Sequence, residues 1–171
     1  IFNAGTLNMG SGTWTVSGDW NVVGSSLTSG TSTLVLNGTS SQTITSSGNS
    51  FNNLTISNTS SQGVIFADDL TVSGVFQDTT PSSKLTFTAG TTATISHLVL
   101  NGQSQATRIV LRSSIDGISW RLNNTSTNDI HYVDVKDSDA SWGNTIDASD
   151  GTNIDSGGNI NWLFTKLQAL G

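Results

Sequence analysis

Residues 51–58 read FNNLTISN, and variants of that phrase return as DLTVSG from Asp69, KLTFTAG from Lys84 and HLVLNG from His97. In each, apolar residues alternate with Thr, Ser or another outward residue: Leu54 and Ile56, Leu70 and Val72, Leu85 and Phe87. A period of two marks a strand with one face buried. The phrases are short, and clusters of Gly, Asn, Asp and Ser separate them, so the chain reads as many brief strands joined by tight turns. Working outward from 51–58, the same pattern predicts strands over 13–16, 20–23, 33–36, 42–45, 53–57, 64–66, 69–73, 84–88, 93–96, 97–100, 108–112, 120–122, 130–136, 144–147 and 159–164.

The recurrence selects the architecture. Leu54, Leu70 and Leu85 open their motifs 16 and then 15 residues apart, and Leu34-Val-Leu-Asn-Gly recurs at Leu98 after 64 residues. A solenoid stacks one supersecondary unit on the next, so similar segments return with each coil, whereas a sandwich has no reason to reuse its strands. The expectation is an all-β parallel β-helix with almost no α-helix. Leu54, Leu70 and Leu85 should stack in one inward column, and the intervening Thr and Ser should face solvent. Each coil buries only a few side chains at about 1.5 to 3 kcal/mol apiece, so several coils are needed to exceed ordering entropy. A single solenoid domain is expected over 1–164, with 165–171 a tail and possible contact segment.

Composition agrees. All 12 acidic residues are Asp, and Ser and Thr together number 52, with 18 Gly and 16 Asn. Thr and Val suit strands, Asp, Asn, Gly and Ser suit turns, and the absence of Glu removes a favoured helix former. There is no Cys, so neither disulfides nor thiolate metal sites are available. No apolar run reaches membrane-spanning length, which predicts no membrane insertion. The net charge of −6 repels nucleic acid and anionic lipid. An initial Ile in a strand-like pattern, without a basic-then-apolar leader, suggests a processed product or an excised piece.

The stretch TLVLNGTSSQTITSSGNSFNNLTISNTSSQGVIFADDLTVSG, from Thr33 to Gly74, resembles segments of large bacterial and archaeal surface proteins with right-handed parallel β-helix folds. The run YVDVKDSDASWGNTIDASDGTNIDSGGNINWLF, from Tyr132 to Phe164, resembles the segment that closes such repeats. The resemblance implies a right-handed β-helix in an exported, repetitive, structural or adhesive protein. It implies no shared catalytic residues.

The densest polar cluster lies in the last third. Turns of stacked coils would bring Asp137, Asp139 and Asp150 together as carboxylate ligands for calcium, which takes six to eight oxygens. The alternative is a series of Asx turns in which each carboxylate bonds nearby backbone N–H groups. Neither an EF-hand nor a Gly-Gly-x-Gly-x-Asp nonapeptide is present. Asp134 and Lys136 lie two apart in a strand and share a face, an arrangement that polysaccharide-cleaving enzymes of similar fold usually present but that is more often a surface ion pair. His97, at a strand edge, and His131, on a strand, read as structural.

Among the five Trp, Trp142 sits in a polar turn and is the candidate for stacking against a sugar ring. Trp162, in NINWLF, is placed to plug the last coil. Asn37, Asn53, Asn58, Asn123 and Asn124 each open an Asn-x-Ser/Thr triplet that permits glycosylation in a suitable secretory setting.

The leading functional expectation is a non-catalytic extracellular protein of the cell surface, a fibre subunit or adhesin stalk. It would associate head to tail with identical subunits or with neighbouring domains of a longer chain, and Trp162, Leu167 and Leu170 are the candidate contact residues. The alternatives are a carbohydrate-binding module for surface polysaccharide and a β-helical polysaccharide lyase or hydrolase. No cofactor is called for, with calcium the one possibility.

Overall fold

The computed structural model describes residues 5–165. Each circuit of the chain lays down three short strands. The first comprises β1 (Gly5–Asn8), β2 (Thr13–Val16) and β3 (Trp20–Asn21); the second β4 (Ser25–Thr28), β5 (Thr33–Leu36) and β6 (Gln42–Thr45); the third β7 (Ser50–Phe51), β8 (Asn53–Ile56) and β9 (Val64–Phe66). Thereafter the first two strands of a circuit merge through a bend. β10 (Leu70–Asp78) precedes β11 (Lys84–Phe87), β12 (Thr92–Asn101) precedes β13 (Ile109–Ser113), and β14 (Trp120–His131) precedes β15 (Val133–Val135). The last strands are β16 (Ser138–Asp139), β17 (Ile146–Asp147), β18 (Ile154–Asp155) and β19 (Trp162–Leu163).

Every strand pairing among the described residues is parallel. The result is a parallel β-solenoid of about 7 turns, with no helix among the described residues. Its first face carries β1, β4, β7, the opening halves of β10, β12 and β14, and then β16. The second carries β2, β5, β8 and the closing halves of the long strands, and β17 and β19 continue it. The third runs β3-β6-β9-β11-β13-β15-β18.

Inward residues form columns along the axis. On the second face Leu34 lies beside Leu54, Leu54 beside Phe76, and Phe76 beside Leu98. The recurrence of Leu-Val-Leu-Asn-Gly at Leu34 and Leu98 therefore spans three circuits of one face. The expected Leu54, Leu70 and Leu85 column does not exist. All three are buried on parallel strands, but Leu54 belongs to the second face, Leu70 pairs with Ala93 on the first, and Leu85 lies between Val64 and Leu111 on the third. In this part of the chain a circuit takes 20 residues or more, as the pairings of Thr33 with Asn53, Leu54 with Phe76 and Leu70 with Ala93 show. The shorter interval steps between faces, and the phrase repeats because all three walls need the same inward pair.

Aromatic rings stack along part of the interior. Phe66 stacks on Phe87 at 4.6 Å, and Phe87 on Trp120 at 3.9 Å with planes 8° apart. The short β4 has no strand beside it on its outer side, and a side chain fills the gap. Asn49 accepts a hydrogen bond from the Leu27 N–H at 2.7 Å and donates to the Ser25 carbonyl at 3.1 Å, so its amide imitates a strand backbone. Asn124 does comparable work at a bend, donating to the carbonyls of Ile95, Ser96 and Thr127 from a fully buried position. The abundance of Asn thus has a structural use: corners leave backbone groups unpaired, and an amide both donates and accepts.

Candidate functional site

The acidic third of the chain places Asp129, Asp147 and Asp150 together on the second face, where β14 meets β17. Alternation along β14 turns Ile130 inward, 2% exposed, and leaves Asp129 and His131 outward. Beyond β17 a turn closed by Gly151, at φ 86°, presents Asp150 to the imidazole. His131 Nδ1 lies 2.5 Å from Asp150 Oδ2, and Nε2 lies 2.9 Å from Asp129 Oδ1. Asp147 and Ser149 complete a shallow depression of about 180 Å³.

The electrostatics follow from that geometry. The hydrogen bond to Asp150 is the main cause that raises the His131 pKa above its ordinary value; partial desolvation opposes it, and the charges of Asp129 and Asp150 reinforce it. For Asp150, burial pushes the pKa up, but the Thr152 N–H, the imidazole and the Thr152 hydroxyl outweigh it and hold the carboxyl below the usual value. Asp150 Oδ1 also accepts from Thr152 N at 2.9 Å and Asn153 Nδ2 at 2.9 Å. Both imidazole nitrogens face carboxylates, so neither is free to take a proton from a substrate, and the Asp150 oxygens are occupied. This cluster has the properties of a clamp between successive coils.

The other candidates are distributed. Asp137 accepts from Gly117 N at 2.9 Å and Asp139 from Ser141 N at 3.0 Å, each holding a separate turn. No group of three or more His or acidic residues arranged to hold a metal ion occurs among the described residues. Asp134 and Lys136 do not pair with each other: Asp134 bonds Arg112 at 2.9 Å and Ser156 Oγ at 2.6 Å, while Lys136 pairs with Asp116. His97 is exposed, with Nδ1 3.0 Å from Ser96 Oγ.

Trp142 is 60% exposed, and the Arg121 guanidinium lies over its ring at 5.1 Å from the centroid. Trp162 is half-buried in the last described coil, donates to Ser138 Oγ at 3.0 Å and stacks near Phe164. Leu167 and Leu170 lie outside the described residues. Of the glycosylation triplets, Asn37 is exposed and Asn53 and Asn123 are half-buried, whereas Asn58 and Asn124 are fully buried with their amides engaged in core hydrogen bonds.

Two features were not singled out in the sequence. Asp129 is one: it lies two residues before His131 on β14 and shares its outward face, a placement that strand parity marks. Asp78 occupies an inward position, and parity along Leu70–Asp78 marks it, because Phe76 is inward, Gln77 outward and residue 78 inward again. No family model matches the chain, and neither the curated proteins nor the solved structures contain a match to it.

Proposed function

We propose that this protein is a non-catalytic, extracellular structural solenoid, a segment of a cell-surface stalk or fibre that associates end to end with copies of itself or with neighbouring domains. The observation that carries the reading is the uniform parallel ladder. The edge by which each coil holds the next is the same kind of edge that β2 and β3 present at one end of the described residues, and β18 and β19 at the other. Unpaired parallel edges favour strand addition, and a head-to-tail contact repeats without closing. At about 4.8 Å per coil, seven coils make a spacer roughly 35 Å long. Ile154 and Ile160, at 39% and 52% exposed near the far end, add apolar surface to such a contact. The engagement of the acidic residues in turns and ion pairs supports a non-catalytic role. Sedimentation velocity over a wide concentration range tests self-association: concentration-dependent growth of linear species is expected, and a strict monomer at the highest concentration overturns the filament and favours a tethered repeat or a sugar-binding module.

A second reading rests on Trp142. Its exposed ring beside a cation suits a sugar ring carrying negative charge. Binding on a glycan array that disappears with Trp142→Ala would favour a carbohydrate-binding module.

A further inference from the structure

The interior column on the second face reads Leu36, Ile56, Asp78, Leu100, Ile130 from coil to coil. Four aliphatic residues and one carboxylic acid share equivalent positions. Asp78 is 0% exposed. Its Oδ1 accepts from the Thr80 N–H at 2.9 Å, closing an Asx turn into the corner that precedes β11. Its Oδ2 has no hydrogen-bond partner, and the buried Ser83 Oγ also has none. No charged side chain faces the group: Ile56 flanks it on β8, Leu100 on β12, and Thr80 and Ser83 come from its own turn. An aspartate charge here would lack both water and a counter-ion.

We propose that Asp78 is a proton-dependent latch in the core, neutral and closed in mildly acidic surroundings, ionised and loosening the fourth coil as the medium approaches neutrality. Geometry carries this, because a buried carboxylate with one unsatisfied oxygen is costly as an anion and tolerable as an acid. Burial raises its pKa from the ordinary 3.8 to about 6; the nearby Ser83 hydroxyl and the Thr80 groups offset only part of that shift. The sign follows from linkage. With the folded-state value above the unfolded one, the folded chain binds the extra proton. The stabilisation is complete below about pH 4, declines as pH rises toward 6, and is absent above. The difference amounts to roughly 100-fold in the folding equilibrium.

Urea denaturation of the whole chain and of Asp78→Asn across that range isolates the effect, since every other titrating group is common to both. Asparagine keeps the acceptor for Thr80 and cannot ionise. Relative to Asp78→Asn, the unaltered chain should lose about two orders of magnitude in folding constant between about pH 4 and pH 7, and the variant should be the more stable of the two at pH 7. Parallel stability curves overturn the proposal. Should the variant not fold, carboxyl carbon NMR of the unaltered chain decides directly: an Asp78 midpoint near 6 supports the latch, and one at or below about 4 removes it.

Discussion

Ile56 and Thr55 are neighbours in the chain on opposite sides of the solenoid wall: Ile56 is 1% exposed, and Thr55 looks outward between Val35 and Gln77. Val72 and Thr71 have the same relation on the first face. Placing a charge on the inner member leaves it without water or counter-ion, while on the outer member it remains hydrated. Ile56→Asp and Val72→Asp should therefore cost more than about 3 kcal/mol and unfold the domain, and Thr55→Asp and Thr71→Asp should cost less than about 1 kcal/mol. Urea denaturation at neutral pH checks this, and equal losses in the two pairs would contradict the assignment of faces. Asp78 shows the exception that a solenoid tolerates: one inward carboxyl with one oxygen capped by a backbone N–H.

At the scale of elements, the short strands are held by their neighbours rather than by their own propensity. β4 is Ser-Ser-Leu-Thr, with only Leu27 to bury, and it escapes detection by apolar alternation. It is ordered by pairing with β1 on one side and by the Asn49 amide on the other. Asn49→Ala removes one donor and one acceptor from partly buried backbone groups, for an expected loss of about 1 to 3 kcal/mol. The effect should be local. Hydrogen exchange at the Leu27 amide should accelerate strongly while the amides of β8 and β12 keep their protection, and uniform acceleration would show that the substitution acts globally. The same logic accounts for predicted strands that merged. The separate segments 93–96 and 97–100 form one strand, β12, because its backbone passes the corner through a shift of register without leaving the ladder.

For the whole molecule, cohesion is longitudinal: each described coil rests on the one before and supports the one after. Association through the ends should consequently be separable from the stability of the stack. Deleting residues 165–171 is expected to weaken self-association by tenfold or more while lowering the melting temperature by no more than a few degrees. Sedimentation velocity and calorimetry on the same samples test the separation. Loss of the fold on truncation would instead place the segment among the elements that hold the last coil.

Much of the architecture was legible in the chain. Alternation at Leu54 and Ile56, and its return at Leu70, Leu85 and Leu98, determined strands, inward positions and a stacked all-β design, because side-chain direction in a strand depends only on residue parity. The number of faces was not legible, since one phrase serves all three and sequence spacing does not distinguish a step between faces from a full circuit. Tertiary structure alone decided which distant residues meet: His131 with Asp150 across a coil boundary, Asn49 with Leu27, and Asp78 with Ile56 and Leu100. Those contacts depend on the exact length of each circuit, which irregular corners change by several residues. Such lengths are set by how the backbone satisfies its hydrogen bonds at each bend, a property of the packed coils together.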